Sequence, residues 1–97
     1  MPSTKDYLTY VLELLREVDN INYKKMMGEY LLYSDGILFG GIYDDRFLIK
    51  KTMSTASFGL KEEIPYDGAK AMLLIDSENP DYIKSIVLKV INDLSKN

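Results

Sequence analysis

The stretch KMMGEYLLYSDGILFGGIYDDRFLIKK, residues 25–51, decides the fold of this 97-residue chain. It contains three apolar runs, separated by the residue pairs Asp35-Gly36 and Asp44-Asp45. Because Gly tolerates the positive φ of a type I′ turn, Asp35-Gly36 indicates a two-residue hairpin. Asp44-Asp45 is a weaker turn signal, since Asp adopts the left-handed conformation less readily than Gly. The stretch, called the meander below, therefore predicts three antiparallel strands.

Helical periodicity lies on both sides of the meander. Between residues 3 and 18, the apolar residues that recur at helical spacing are Leu8, Val11, Leu12, Leu15 and Val18. A second stripe follows the helix-start signal Asn79-Pro80-Asp81 and consists of Ile83, Ile86, Val87, Val90, Ile91 and Leu94. Both stripes are typical of helices that pack one face against a core. Asp19, Asn20 and Asn22 indicate a loop between the first helix and the meander.

Two further strands are predicted between the meander and the last helix. Residues 52–58 are a short helix candidate that Gly59 can close. Pro65 restricts residues 64–66 to an edge strand, because proline donates no backbone hydrogen bond, and the apolar run 71–75 is the last strand. The predicted fold is α+β, in the order α-β-β-β-α-β-β-α. It is a single domain over residues 1–97, with two layers and helices on one face of an antiparallel five-stranded sheet.

The alternation of side chains along the meander assigns residues to the two faces of the sheet. We assign to the helices the face that consists of Leu31, Tyr33, Leu38, Gly40, Ile42, Phe47 and Ile49. The other face combines aromatic residues with Arg46 and Lys50, a composition that is found in binding surfaces. We expect its large side chains to be the interface of a two-fold homodimer: Tyr30, Leu32, Phe39, Tyr43 and Leu48. An equally favoured interpretation is that the Tyr hydroxyls and Lys stems simply extend to water.

The composition excludes several kinds of chemistry. The chain has no His and no Cys, so cysteine nucleophiles, thiolate metal sites and the commonest general base are absent. The acidic pairs Asp44-Asp45 and Glu62-Glu63 lack the ligand spacing of a calcium loop. We therefore expect no catalytic residues, no cofactor and no metal site.

Charge and hydropathy also limit the partners. The formal net charge is −3, and the lysine pairs Lys24-Lys25 and Lys50-Lys51 lie far apart in the predicted register, so we expect no direct binding to nucleic acid. No apolar run approaches the ~20 residues that cross a bilayer, and the first residues lack the apolar core of a signal peptide. The expected location is the cytoplasm, without membrane attachment.

Several segments resemble the N-terminal domain of the TfoX/Sxy family of competence regulators. They are KMMGEYLLY at 25–33, the pair Asp35-Gly36, Phe39, DRFLIK at 45–50, IPY at 64–66 and GAKAM at 68–72. The resemblance covers nearly the whole chain, and the meander is its most specific part. The departures are Met27 where the family has Phe, Glu29 and Leu31 where it has Gly, and Ala71 where it has Pro.

This resemblance implies a secretion-chaperone-like two-layer fold and a function in regulation, without established catalytic residues. Longer family members carry a second domain, and since this chain ends at Asn97 we expect a stand-alone domain. The predicted function is a non-enzymatic regulatory or adaptor domain that acts through protein–protein contacts, as a homodimer and with a regulatory protein that the sequence does not identify. The alternative is a small-molecule-binding or enzymatic domain with a Tyr-rich pocket formed by Tyr30, Tyr33, Tyr43 and Tyr66.

Overall fold

The computed structural model describes residues 3–96. Its helices are α1 (Lys5–Leu14), a 3₁₀ helix (Met53–Phe58) and α2 (Pro80–Ser95). Its strands are β1 (Ile21–Met26), β2 (Glu29–Ser34), β3 (Ile37–Ile42), β4 (Phe47–Ile49), β5 (Glu62–Glu63) and β6 (Met72–Leu74). The single domain predicted over residues 1–97 includes Met1, Pro2 and Asn97, which lie outside the described residues, and it stays a prediction.

Within the described residues, six strands form one antiparallel sheet in the order β1-β2-β3-β4-β6-β5. The predicted α+β class is confirmed, but the predicted number of five strands is wrong. The additional strand is β1, where the sequence predicts a loop and the beginning of the meander. The edge strand predicted at residues 64–66 lies instead at Glu62–Glu63, before Pro65. Strand β1 joins β2 through Met27 and Gly28, whose φ angles are 52° and 85°. Met is not a turn-forming residue, so this hairpin gives almost no sequence signal. The secretion-chaperone-like arrangement stays a prediction.

Both predicted turns of the meander are confirmed as two-residue hairpin turns. Ser34 pairs with Ile37 around Asp35-Gly36, and Tyr43 exchanges backbone hydrogen bonds of 2.9 and 3.0 Å with Arg46. Asp44 and Asp45 both have positive φ, 53° and 54°, which is uncommon outside glycine.

Contacts with neighbouring segments hold the unusual Asp44-Asp45 turn in place. The Asp44 N–H donates to the Glu29 carboxylate at 3.2 Å, and the Asp45 carboxylate accepts from the Thr4 N–H at 2.9 Å. The same Thr4 is the N-cap of α1, where its hydroxyl oxygen accepts from the Tyr7 N–H. The turn and the start of the first helix are therefore fixed to each other.

A β-bulge in β3 changes which residues face the helices. Leu32 pairs with Gly40 whereas Tyr33 pairs with Leu38, so Phe39 is an extra residue in the ladder. The extra residue reverses the side-chain alternation halfway along β3. The faces predicted for Ile42 and β4 are therefore right, whereas those predicted for β2 and the first half of β3 are reversed.

The five residues predicted to form a dimer interface are consequently buried in this chain, not exposed. Tyr30, Leu32 and Phe39 point to the helices and belong to the core cluster. Leu48 lies on the other face, beside Gly41 and Leu74, but it too has no exposed surface. Tyr43 is 9% exposed. None of the five side chains can form a large contact with a second copy without rearrangement of the chain.

Both helices pack against the same face of the sheet. The predicted apolar stripe of α2 is confirmed, whereas α1 ends at Leu14, so Leu15 and Val18 of the first predicted stripe are buried beyond the end of the helix. The buried residues that α1 contributes to the core include Leu8 and Val11, and those of α2 are Ile83, Ile86, Val87 and Val90. Asn79 caps α2 by accepting from the Asp81 N–H at 2.9 Å. In the described part of the chain, no helix combines the length and apolar character needed to cross a bilayer.

Candidate functional site

The face of the sheet that points away from the helices carries an open groove of about 590 Å³. We call it the outer groove. Its floor includes Leu31 of β2 and Leu38 of β3, which lie on this face because of the bulge, and its wall is formed by Pro65, Tyr66 and residues 69–72. Leu31 and Leu38 are half-buried. The groove therefore gives the sheet a concave, largely apolar surface outside the core.

Arg46 holds the wall of the outer groove in position. Its guanidinium donates to the Glu63 carboxylate at 2.8 Å, to the Ile64 carbonyl at 3.2 Å and to the Pro65 carbonyl at 3.1 Å. It also donates from Nε to the carbonyl of Tyr43 at 3.1 Å. The planar guanidinium suits such a set of acceptors, which Lys could not satisfy together. Arg46, predicted to be part of a contact face, is thus a residue that positions the wall.

The Arg46 hydrogen bond lowers the pKa of Glu63, and Lys61 acts in the same direction. Because this pKa is lower in the folded chain than in the unfolded one, the contact stabilises the fold above the ordinary pKa of Glu. That stabilisation is lost as the pH falls through the folded-state value. At neutral pH the anchor of the wall is therefore fully charged.

Two tyrosines meet in the outer groove. The rings of Tyr43 and Tyr66 are tilted, with centroids 6.1 Å apart. Tyr43 lies over Gly41, where a Cβ would be 2.8 Å from a ring carbon, so only glycine leaves room for the ring. Burial raises the pKa of the Tyr43 hydroxyl, and the neighbouring Tyr66 adds to this. The hydroxyl therefore stays protonated at neutral pH and can form hydrogen bonds but is a poor base.

The predicted Tyr-rich pocket is only partly assembled. Tyr43 and Tyr66 line the outer groove. Tyr33 lies on the same face of the sheet and pairs with Leu38 of the neighbouring strand. Tyr30 is in the core, where its ring contacts that of Tyr23 with centroids 5.8 Å apart.

The rim of the outer groove is basic. The charged residues that line it are Lys50, Lys51 and Lys70. No Asp or Glu of the described residues is part of this lining. Lys51 forms an ion pair of 2.7 Å with Glu62. Neither Lys50 nor Lys70 has a carboxylate of residues 3–96 within ion-pair distance. The groove thus concentrates positive charge in a chain whose net charge is −3. Sequence reasoning missed this cluster because Lys70 is distant in sequence and lies on a loop.

Two acidic residues that do not line the groove, Glu29 and Asp93, have structural partners. The Glu29 carboxylate accepts from the Ser3 hydroxyl at 2.7 Å. Asp93 accepts from the N–H and hydroxyl of Ser54, each at 2.8 Å, and so ties the 3₁₀ helix to α2. The neighbouring Thr52 side chain and the two Ser54 donors lower the pKa of Asp93. The Ser54–Asp93 pair therefore anchors the 3₁₀ helix to α2. Because its pKa is lowered, the Asp93 carboxylate is a weak base.

No group of three acidic residues in the described range could hold a metal ion. A second, smaller cavity of about 290 Å³ lies between α1 and the end of β6. The Tyr10 hydroxyl beside it donates to Glu78 at 3.1 Å. The outer groove is the larger of the two and combines apolar, aromatic and charged groups, so it is the candidate site.

No protein-family model matches the chain, and no curated protein matches it significantly. The resemblance to the TfoX/Sxy family therefore depends on the sequence segments between residues 25 and 72 alone.

The role of Arg46 gives a first testable prediction. Arg46→Gln removes the contacts to residues 63–65 while leaving the core intact, so the wall should open more often. We expect the Ala69 amide, which donates to the Tyr66 carbonyl at 3.1 Å, to exchange its hydrogen about tenfold faster or more. Hydrogen exchange followed by NMR measures this rate.

The matched control is Lys51→Gln, which removes the exposed Lys51–Glu62 ion pair. Exposed pairs contribute little, so exchange at Ala69 should change less than about twofold. Equal effects of the two variants would contradict the positioning role of Arg46.

Proposed function

We propose that this chain is a non-enzymatic regulatory or adaptor domain that acts through protein–protein contacts, with the outer groove as its contact surface. The observation that carries the proposal is the composition of the groove. Half-buried Leu31 and Leu38 line the groove together with the paired rings of Tyr43 and Tyr66, and lysines form the rim. Aromatic and aliphatic groups at the centre with charged groups around them are characteristic of protein interfaces.

The size of the groove favours a segment of a partner over a large folded surface. A volume of about 590 Å³ lies in the range of sites that enclose a small ligand. It can take a few side chains of an extended or turn-forming segment. The partner would therefore insert a short linear motif.

The resemblance to the TfoX/Sxy family supports a regulatory role. The segment at 25–33 forms the end of β1, the Met27-Gly28 turn and most of β2, including Leu31 on the floor of the groove. Glu29, which stands where the family has Gly, binds Ser3 and the Asp44 N–H. This departure has a structural role at the end of the sheet, so it is compatible with a shared function of the groove.

A small-molecule-binding or enzymatic domain is the second candidate function. It is favoured by the Tyr43–Tyr66 pair in a cavity of suitable volume. Native mass spectrometry of the purified protein separates the two candidates. A bound small molecule that is lost from Leu38→Glu would favour the second candidate.

We also propose that the chain forms a homodimer, but through another surface than the five residues named from the sequence. Among the described residues, β1 pairs only with β2, and most of its side chains are exposed. An unpaired edge of this kind can add a strand from a second copy. Light scattering after size exclusion measures the mass, and a monomer at high micromolar concentration would contradict the dimer.

The experiment that tests the contact surface is a selection of displayed random peptides against the purified protein. Leu38→Glu places a charge on the floor of the groove, whereas Leu88→Glu places the same charge on α2, where Leu88 is 46% exposed. We expect selected peptides to bind the wild type and Leu88→Glu alike and to lose at least about tenfold in affinity for Leu38→Glu. Circular dichroism verifies that both variants are folded. An absence of enriched peptides, or equal binding to both variants, would overturn the proposed function.

A further inference from the structure

We infer that the segment that binds in the outer groove is acidic: an extended peptide with one or more apolar side chains flanked by carboxylates. This inference rests on the proposed function and names the chemistry of the partner. It is carried by the charges at the groove, which are all positive among the described lining residues. A groove with an apolar floor and an uncompensated basic rim is complementary to an apolar segment with acidic flanks.

Two of the three lysines are available to a ligand. Lys51 is neutralised by Glu62 at 2.7 Å. Lys50 and Lys70 have no carboxylate partner among residues 3–96. Lys50 follows β4, and its N–H donates to the Phe39 carbonyl at 2.8 Å, so its backbone is held by the sheet. Lys70 is exposed and belongs to the wall. A bound segment can therefore meet positive charge from two different parts of the chain.

The surroundings increase the effect of these charges on a ligand. The nearby side chains of the groove are apolar or aromatic, so they lower the local dielectric constant relative to water and strengthen charge–charge attraction. No described carboxylate is among the residues that line the groove, and the Glu29 and Asp45 carboxylates accept hydrogen bonds from Ser3 and Thr4. A carboxylate supplied by a partner is the group that completes the site.

The same features favour a peptide over a nucleic acid. Nucleic-acid affinity depends mainly on many phosphate contacts. Here only two lysines of the groove lack a carboxylate partner among residues 3–96, and the chain carries a net charge of −3. The apolar floor also suits aliphatic side chains better than a phosphate backbone.

The test uses three fluorescent peptide libraries of about eight residues, which span about 26 Å when extended, close to the 29 Å width of the molecule. In each library the central residues are randomised among Leu, Ile, Met, Val and Phe. The flanks are Asp and Glu in the first, Asn and Gln in the second, and Lys and Arg in the third. A labelled single-stranded oligothymidine is the fourth probe.

Each probe is measured by fluorescence anisotropy against four proteins: wild type, Lys50→Gln/Lys70→Gln, the charge-matched control Lys84→Gln/Lys89→Gln on α2, and Leu38→Glu. We expect the acidic library to bind the wild type best. The Lys50→Gln/Lys70→Gln variant should weaken that binding about five- to tenfold. The control on α2 should change it less than about twofold, and added salt should weaken it in the same way as the lysine variant.

The possible failures are distinguishable. If the acidic and amide libraries bind equally and both are lost in Leu38→Glu, the groove binds peptides through apolar contacts, and only the acidic partner is overturned. If no library binds, or if Leu38→Glu leaves binding unchanged, both the inference and the proposed function are overturned. If the oligothymidine binds more tightly than the acidic library and is lost in the lysine variant, the partner is a nucleic acid and the inference is wrong.

Discussion

Leu32→Asp should prevent the chain from folding, whereas Leu31→Asp should leave it folded. The two residues are neighbours in β2 but point to opposite faces of the sheet. Leu32 is completely buried in the core, and Leu31 is half-buried on the floor of the outer groove. A charge without a partner in the core costs several kcal/mol, a large part of the ~5–15 kcal/mol that stabilises a typical domain. The Leu31 change should cost only about 1 kcal/mol.

Circular dichroism and urea denaturation of the two variants measure this difference. They form a matched pair, because the substitution is the same and the positions are adjacent. The reversed result, with Leu31→Asp unfolded and Leu32→Asp folded, would restore the face assignment predicted from regular alternation. It would also show that the bulge at Phe39 is misplaced.

Gly40→Ala should destabilise the fold by about 3 kcal/mol or more. A Cβ at Gly40 would lie 2.4 Å from the Leu48 carbonyl oxygen and 3.0 Å from the Ile49 Cα. Both atoms belong to the backbone of β4, so the clash cannot be relieved by turning a side chain. The pairing of β3 with β4 would have to open next to the bulge.

Gly36→Asn is a suitable control for this substitution. Gly36 has a φ of +77°, and a Cβ there would meet no atom within 4 Å. Since Asn tolerates the left-handed conformation better than most residues, we expect a cost of about 1 kcal/mol or less. Urea denaturation gives both values. A Gly40→Ala variant that is as stable as Gly36→Asn would contradict the close approach of the two strands.

Local signals in the sequence predict much of this fold. The cap at Asn79, the apolar stripes of the helices and the turn at Asp35-Gly36 each depend on neighbouring residues. Such features are decided within a few residues of chain, so a single sequence reveals them. The hairpin turn at Asp44-Asp45 has a weaker local signal, and it is held by contacts with residues outside the meander.

The register of the sheet, in contrast to these features, is not decided by neighbouring residues alone. A single inserted residue, Phe39, exchanges the two faces of the strands that precede it. No residue near the bulge signals the insertion strongly. Gly40-Gly41 indicates a bulge or a close backbone approach, but not which residue is the extra one. A register predicted without the bulge assigns Tyr30 and Leu32 to the interface, whereas both residues belong to the core.

The candidate site also depends on contacts between distant segments. Arg46 fixes residues 63–65 beside the sheet, and this contact creates the wall that carries Tyr66 and Lys70. Tyr43 was predicted to lie at a contact surface, and it does line the groove, although its ring is largely covered. The sequence therefore indicates some of the right side chains, but the concave shape follows only from the fold.

In our proposal, the outer groove receives an acidic segment of a partner protein. Methyl NMR of protein labelled at Met, Leu, Ile and Val, titrated with the acidic-flanked peptide library, tests it most directly. We expect saturable shifts of the methyl groups of Leu31, Leu38 and Met72, which line the groove, and no shift of Leu88 on α2. Shifts confined to β1 or α2, or no shifts at any peptide concentration, would contradict the claim.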